Sequence, residues 1–175
     1  LKKKYGLNIC VFSIDDFYKT KNERLRMSKE KHPLFITRGV PGTHDITLLN
    51  QTIRKLKQKK FRTVLIPKFD KSKDDRYRKN KWQKIKIKPD IIIFEGWCVG
   101  TTHQNNNELK RPLNLIEKKY DENLKWRKTV NNLIKKRYKN IFNKIDKIVF
   151  LKVPHFNYII KWRWLQEQKM KLTTK

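Results

Sequence analysis

Two short apolar runs in the sequence end directly in acidic residues. The first, in the string SIDDFY, ends in Asp15 and Asp16, and the second ends in Glu95. In an open α/β sheet the ligand crevice lies beyond the carboxyl ends of the strands, so we expect these carboxylates in an active site. A carboxylate there can accept the proton of an attacking hydroxyl or hold a magnesium-bound water. For Asp15 and Asp16 the alternative is an Asx turn or helix cap that closes the strand.

The second run, DIIIFEGW, has the pattern of a Walker B strand. The acid of such a strand lies near the Mg²⁺ of a bound nucleotide, and here that acid is Glu95. The pattern alone has low specificity. Together, the two runs bring Asp15 and Glu95 to the same edge of one sheet, and this favours a catalytic site over two structural turns.

Two loops rich in basic and turn-forming residues lie between these runs. Residues 32–45 carry Arg38 and His44, and residues 67–76 begin just after a third apolar run and end at Arg76. Guanidinium and ammonium groups in such loops suit a carboxylate or a phosphate. In so basic a chain most such groups are solvated charges, and these three residues are singled out by their position in the loops.

Four apolar runs have the length of buried strands and must position these residues. They are residues 9–14, 63–66, 91–94 and 148–151, and their near-continuous apolar character predicts a parallel sheet covered on both faces.

Helical patterns lie between and after the predicted strands. Residues 45–60 and 126–142 place their apolar side chains on one face, and residues 155–170 also have a helical pattern. Tyr5 and Gly6 have the pattern of a last helical turn with a glycine stop, whereas residues 101–108 are polar and predict a loop. The alternation of strands and helices predicts a doubly wound α/β fold.

The chain of 175 residues has the length of about one domain and a net charge of +29. Such a charge is typical of proteins that bind nucleic acid or anionic membranes. The lysines, however, occur in nearly every segment at the polar positions of amphipathic stretches, which favours solvated surfaces. We therefore expect no specific nucleic-acid partner, and no run approaches the ~20 apolar residues that span a bilayer.

Other chemistries find little support in the sequence. Cys10 and Cys98 show no short spacing and predict reduced thiols in a cytoplasmic protein. The four histidines lack the spacing of zinc ligands, and no Gly-x-Ser-x-Gly string suggests a serine hydrolase.

Several long strings together resemble one enzyme family. SIDDFY, HPLFITRGVPGTHD, IPKFDKSKDDR, DIIIFEGWCVG, WRKTVNNLI and VPHFNYIIKWRWLQEQKMK are similar in order and spacing to the bacterial and cyanobacterial D-glycerate 3-kinases. That family is related to uridine kinase and phosphoribulokinase. The resemblance implies a P-loop NTPase-like fold, a parallel sheet with helices on both faces. It also implies that ATP and Mg²⁺ are used to phosphorylate a hydroxyl of D-glycerate.

The resemblance also implies roles for individual residues. Asp15 would be the general base, and Glu95 would be the Walker B acid that helps Asp15 to hold Mg²⁺. The implied substrate-binding residues are Tyr18, Arg38, His44, Asp45, Lys68, Asp70, Lys71 and Arg76. The implied nucleotide-binding residues are Asp16, Gly96 and Arg163.

The phosphate-binding loop of such kinases is absent from these residues. No G-x-x-x-x-G-K-[ST] string occurs, and the family would place it before Leu1. We therefore expect residues 1–175 to be a single partial P-loop kinase domain without its first strand and P-loop. We expect the C-terminus to be clipped as well, and we expect that the fragment alone would neither turn over ATP nor fold well.

Two other functions stay open at this point. The acceptor of the kinase could be a nucleoside or a pantothenate-like alcohol, because fold kinship does not define a substrate. The chain could also be a non-catalytic basic module that binds nucleic acid, in which case its binding would weaken steeply with salt.

Overall fold

The computed structural model describes residues 2–173, which alternate between short strands and helices. The helices are α1 (Lys2–Tyr5), α2 (Lys21–Glu30), α3 (Ile46–Leu56), α4 (Leu115–Tyr120), α5 (Lys125–Leu133), α6 (Lys139–Phe142) and α7 (Phe156–Thr173). The strands are β1 (Ile9–Ser13), β2 (Val64–Ile66), β3 (Phe69–Asp70), β4 (Asp75–Arg76), β5 (Gln83–Ile85) and β6 (Ile91–Glu95).

The two acid-terminated runs form a parallel pair of strands, as predicted. β1 and β6 pair in register from Ile9 opposite Ile91 to Ser13 opposite Glu95. The rings of Phe12 and Phe94 contact each other across the pair with their centroids 5.3 Å apart. The parallel register brings both carboxyl ends to one edge, so the acids that follow lie at the same end of the sheet.

The remaining strands differ from the predicted parallel sheet. β2 forms where residues 63–66 predicted a strand, but it pairs antiparallel with β5, and β3 pairs antiparallel with β4. The chain between β2 and β5 forms β3, β4 and a 3₁₀ turn and contains no α-helix, so it returns beside β2 without the helical crossover that usually joins parallel strands.

Residues 148–151 were predicted to form a strand, and this prediction is wrong. They have no regular secondary structure, and Val149, Phe150 and Leu151 are each more than four-fifths exposed. A strand requires a neighbour to satisfy its backbone donors and acceptors, and no strand pairs with this run within residues 2–173.

The helical patterns are confirmed with small changes in their bounds. α3 begins after Asp45, whose Oδ1 accepts a hydrogen bond from the amide of Leu48 at 3.0 Å, as expected of an N-cap. The pattern over residues 126–142 is continuously helical through α5, a π-helical segment (Ile134–Tyr138) and α6. α1 ends at Gly6, which adopts a φ of 65°.

Helix α2 was not predicted, although the sequence carries a signal for its start. Thr20 and Glu23 form a capping box, in which each side chain accepts a hydrogen bond from the backbone amide of the other residue. The helix is strongly polar, so it lacks the apolar period by which the other helices were predicted.

The described chain divides into two compact units, one up to Lys144 and one from Ile145 onward. In the first unit the core contains Phe12, Phe17, Phe35, Leu49 and Ile66, all at most 2% exposed. The second unit consists mainly of α7. None of the helices within residues 2–173 combines the length and the apolar character needed to span a membrane.

Candidate active site

A single 3₁₀ turn (Ile14–Phe17) places both acids beyond the end of β1. Ser13 caps this turn, since its Oγ accepts a hydrogen bond from the amide of Asp15 at 3.2 Å. Ile14 and Phe17 are fully buried, and they anchor the turn in the core. Because Ser13 supplies the cap, neither aspartate is needed for it, and both carboxylates are free to make other contacts.

Each of the two carboxylates pairs with a lysine of the loop that follows β2. Lys71 Nζ lies 3.1 Å from Asp15 Oδ2, and Lys68 Nζ lies 2.7 Å from Asp16 Oδ2. The second oxygen of Asp16 is 3.4 Å from the amide of Phe69, which donates to it. By contrast, Oδ1 of Asp15 is buried and has no hydrogen-bond partner within the described part of the chain. An unpaired buried carboxylate oxygen is costly, so this atom is available to a ligand.

Backbone hydrogen bonds hold the loop of residues 32–45 against the acidic turn. The amide of Lys19 donates to the carbonyl of Thr43 at 2.8 Å, and the amide of Asp45 donates to the carbonyl of Phe17 at 2.7 Å. These bonds flank His44, whose ring stacks on that of Tyr18 with a centroid distance of 4.4 Å.

Burial shifts the pKa values of both stacked rings so that each ring favours its neutral form. Burial lowers the pKa of His44 to about 4, although the nearby Asp15 carboxylate acts in the opposite direction. Burial, then the charge of Asp15 and the proximity of the Tyr18 hydroxyl to that carboxylate, raise the pKa of Tyr18 well above its usual value. At neutral pH the site therefore holds a neutral imidazole and a neutral phenol.

Arg76 links the two basic loops to the acidic turn. Its Nε and Nη2 both donate to the carbonyl of Tyr18, at 3.1 and 2.7 Å, and Nη2 lies 3.6 Å from the Asp45 carboxylate. Nε and Nη2 are thus both engaged within the chain, so Arg76 acts first as a brace for Tyr18 and Asp45.

Arg38 and Asp70 have different positions in their loops. Arg38 pairs with Asp74 through Nη1, and its guanidinium lies 5.6 Å from the centre of the Phe69 ring. Asp70 closes a turn, because its Oδ1 accepts hydrogen bonds from the amides of Ser72 and Lys73 at 3.0 and 3.2 Å. The hydroxyl of Ser72 also donates to Asp70, and together these bonds hold the pKa of Asp70 below its usual value.

Glu95 and Gly96 follow β6 on the neighbouring strand. Glu95 is exposed, lies opposite Ser13 in the register, and makes no ion pair or side-chain hydrogen bond to residues 2–173. Gly96 has a φ of 157°, and a Cβ atom built on it would lie 2.3 Å from Cγ2 of Ile14. The glycine is thus required by the close approach of the chain to the acidic turn.

The donor set at this edge suits magnesium held mainly by its substrate. No group of three or more histidine, cysteine or acidic side chains suited to a metal occurs among the described residues. Mg²⁺ is commonly bound by one or two carboxylates together with phosphate oxygens and waters, so Asp15 and Glu95 fit such a site.

Arg163 belongs to the second compact unit. It lies on α7, is mostly exposed, and pairs with Glu167 one turn later at 2.8 Å. An arginine that is paired only locally and is open to solvent can change partners at little cost.

Two buried residues around the site, Arg24 and Tyr138, were not predicted to be site residues. Arg24 is fully buried, and its guanidinium donates to the carbonyls of Lys19, Ile36 and Asp74 at 3.2, 3.0 and 2.6 Å. Arg24 lies on α2, which has no apolar period, and Tyr138 lies within the amphipathic pattern of residues 126–142, so neither polar role left a periodic signal.

A third missed feature is a buried ion pair next to α5. Asp121 accepts hydrogen bonds from the amides of Trp126 and Arg127 at 2.7 and 3.0 Å, and from Arg127 Nε at 2.9 Å. The Leu109 carbonyl accepts a further bond from Arg127 Nη1 at 3.0 Å. The pair fixes the start of α5 and so the helical segment that carries Tyr138.

Comparisons with known proteins agree with this geometry. No protein-family model matches the chain. The chain is 35% identical over 172 residues to a Schizosaccharomyces pombe protein named uncharacterized kinase mug58, covering 94% of this chain and 61% of that protein. It is 27% identical to the chloroplastic D-glycerate 3-kinase of Arabidopsis thaliana, covering 93% of this chain and 35% of that protein.

A solved structure gives the same result for the fold. D-glycerate 3-kinase from Cryptococcus neoformans matches with a TM-score of 0.82 at 28% identity, covering 99% of this chain and 63% of that one. The chain therefore spans about three fifths of the length of two of these relatives, and about one third of the third. By sequence and by fold, the chain is similar to D-glycerate 3-kinase-like kinases, and it shares their P-loop kinase fold.

Proposed function

We propose that the protein containing this chain is an ATP-dependent kinase that phosphorylates a hydroxyl of D-glycerate. One observation carries the proposal. Asp15 stands at the carboxyl end of β1. Its Oδ2 contacts Lys71, and its Oδ1 is buried and has no hydrogen-bond partner in the described part of the chain. An acceptor hydroxyl that donates to Oδ1 would satisfy this oxygen and would be oriented for attack, with Asp15 as its general base.

Glu95 and Asp15 are the residues proposed to hold Mg²⁺ at the adjoining strand ends. When bound with ATP, the ion neutralises the phosphate charge and lowers the barrier to transfer of the γ-phosphoryl group. Asp16, Gly96 and Arg163 are proposed to face the nucleotide. Of these, Asp16 is held in place by Lys68, and Gly96 lets the chain pass close to the acidic turn.

D-glycerate also carries a carboxylate, which requires a cation outside the general base. Arg38 is the best placed of the predicted residues, because only its Nη1 has a hydrogen-bond partner among the described residues. Its Nε and Nη2 remain free to bind a carboxylate in the bidentate manner. Arg76 has both of these atoms committed to the Tyr18 carbonyl, so we propose that it shapes the pocket.

The other proposed substrate-binding residues surround the same turn. They differ in availability, since Lys68 and Lys71 are each more than one-third exposed at the side chain whereas His44 is buried. The residues of this set are Tyr18, His44, Asp45, Lys68, Asp70 and Lys71.

The cellular setting is part of the proposal. Cys10 and Cys98 are both free and buried, and burial followed by the charge of Asp15 raises the pKa of Cys98 to about 12. Thiols of this kind react slowly with oxidants and suit a protein of the cytoplasm. We expect only non-specific, salt-sensitive association with nucleic acid, because the positive charge is spread along the chain.

An acceptor screen with the full-length protein tests the proposal. ADP release would be measured with ATP, Mg²⁺ and, in parallel, D-glycerate, L-glycerate, uridine and pantothenate. We expect release with D-glycerate to exceed the ATP-only background and all other acceptors. Release with uridine or pantothenate alone would assign a different acceptor, and no release with any of them would remove the kinase assignment.

A further inference from the structure

Tyr138 is among the most deeply buried side chains of the first compact unit, and it contacts the candidate site directly. It is 1% exposed and comes from the π-helical segment after α5. Its hydroxyl lies 2.9 Å from Nδ1 of His44, 94 residues earlier in the chain. No motif in the sequence pointed to Tyr138, and its place beside His44 is a product of the fold.

The hydrogen bonds around the Tyr138 hydroxyl fix the direction of its contact with His44. The amide of Gly42 donates to this oxygen at 2.6 Å, because an amide N–H can only donate. Among the described residues, the phenol proton then has one acceptor at hydrogen-bond distance, which is His44 Nδ1. The phenol therefore donates to Nδ1, and a neutral imidazole must carry its proton on Nε2.

The opposite tautomer would leave more buried groups unsatisfied. With the proton on Nδ1, the phenol proton would have no acceptor and Nε2 would be a buried acceptor without a donor. With the proton on Nε2, only that N–H is without a partner within residues 2–173. Since each unpaired buried polar group costs free energy, the second arrangement is favoured.

Two unpaired buried groups then remain at the site, and they have complementary chemistry. Among residues 2–173, the N–H of His44 has no hydrogen-bond acceptor and Oδ1 of Asp15 has no hydrogen-bond donor. Asp15 is close enough to His44 for its charge to influence that ring. A hydroxyl group matches the pair, because it can donate to Asp15 and accept from His44 at the same time.

We propose that Tyr138 is a positioning residue that holds His44 in the Nε2–H tautomer, so that His44 and Asp15 together select a hydroxyl group. The contacts alone define the tautomer of His44, whereas its role in binding a substrate hydroxyl rests on the proposed kinase function. Burial keeps His44 neutral in this arrangement, so the donor offered to the ligand carries no charge that would favour an anion.

Nitrogen-15 NMR of the histidine rings in the full-length protein tests the tautomer without reference to activity. In the wild type we expect the proton of His44 on Nε2 at neutral pH. In Tyr138→Phe we expect a mixture of both tautomers, whereas the control Tyr120→Phe, at an exposed tyrosine, leaves the signal unchanged. A wild-type proton on Nδ1 would overturn the proposal, and that spectrum is informative even if Tyr138→Phe fails to fold.

Ligand binding tests the second half of the proposal. Saturating D-glycerate should shift the Nε2–H resonance of His44 in the wild type, and Tyr138→Phe should raise the KM for the acceptor ~10-fold, as expected for one lost hydrogen bond, with kcat and the KM for ATP little changed. An unshifted resonance at saturation, or an unchanged tautomer in Tyr138→Phe, would refute the role of Tyr138. Failure of the kinase function would appear separately, as an absence of ADP release.

Discussion

Lys71 Nζ contacts one oxygen of the Asp15 carboxylate at 3.1 Å, while the other oxygen of that carboxylate is buried and has no hydrogen-bond partner among residues 2–173. The lysine thus fixes the orientation of the carboxylate and leaves its second oxygen toward the interior. The ion pair connects the loop after β2 to the end of β1, and it holds the second oxygen in a fixed position where a ligand hydroxyl could donate to it.

Replacing Lys71 by Met should lower kcat by ~10-fold, since Asp15 would lose the contact that orients it. The measurement is steady-state ADP release by the full-length protein with D-glycerate. Lys73→Met is the matched control, because the side chain of Lys73 is exposed, and the ion pairs described for Asp15 and Asp16 are made by Lys71 and Lys68. Equal kcat values for the two variants would show that the ion pair does not position Asp15.

Gly96→Ala should destabilise the protein, because the added Cβ would lie 2.3 Å from Ile14 and the backbone has a positive φ. We expect a loss of about 1–3 kcal/mol or more in the free energy of unfolding, measured by urea denaturation. Gly39→Ala separates the two causes, since Gly39 also has a positive φ but no atom within 4 Å of its Cβ position. A loss no larger than that of Gly39→Ala would show that contact with Ile14 is unimportant.

Arg24→Lys should cost about 3–5 kcal/mol in unfolding free energy, because a lysine cannot replace the three carbonyl contacts and the Asp74 pair of a fully buried guanidinium. The same substitution at Arg26, which lies on the same helix with 73% of its side chain exposed, should be nearly neutral. Urea denaturation of both variants measures the difference. A neutral Arg24→Lys would mean that this buried cluster does not hold the two loops together.

The lowered pKa of His44 predicts a pH dependence of stability. The unfolded chain takes up a proton near pH 6.5, whereas folded His44 does so only near pH 4, so this contribution is complete above pH 6.5 and is lost as the pH falls toward 4. Between pH 7 and pH 5 the loss is about 2 kcal/mol.

Urea denaturation at these two pH values tests this dependence. His44→Gln should reduce the difference in unfolding free energy between pH 7 and pH 5 by about that amount. The exposed His103 provides the control, and His103→Gln should leave the difference as in the wild type. An unchanged pH dependence in His44→Gln would contradict the burial of a neutral His44.

The parts of the fold that were predicted correctly rest on local patterns. The runs before Asp15 and Glu95 are strands that pair in parallel, and the helix after Asp45 follows from its cap and its apolar face. A site made of acids at strand ends can be predicted from sequence, because the carboxyl ends of neighbouring parallel strands lie at the same edge of the sheet.

The errors concern interactions between distant segments. Residues 148–151 have the composition of a strand but no pairing partner within residues 2–173, and β2 pairs with an antiparallel neighbour that had no strand pattern. Arg24 and Tyr138 acquire their roles from contacts 50 and 94 residues away, which no local period encodes. Arg76 makes its shortest side-chain hydrogen bond to the Tyr18 carbonyl, and the residue type alone does not predict this contact.

The most direct test of the proposed catalytic role is the turnover number of Asp15→Asn in the full-length protein. Asparagine keeps the size of the side chain but cannot accept the proton of the acceptor hydroxyl, so kcat with D-glycerate should fall by ~10²-fold or more. Asp146→Asn, at an exposed aspartate of the second compact unit, should turn over like the wild type. Near-normal kcat in Asp15→Asn would contradict the assignment of Asp15 as the general base.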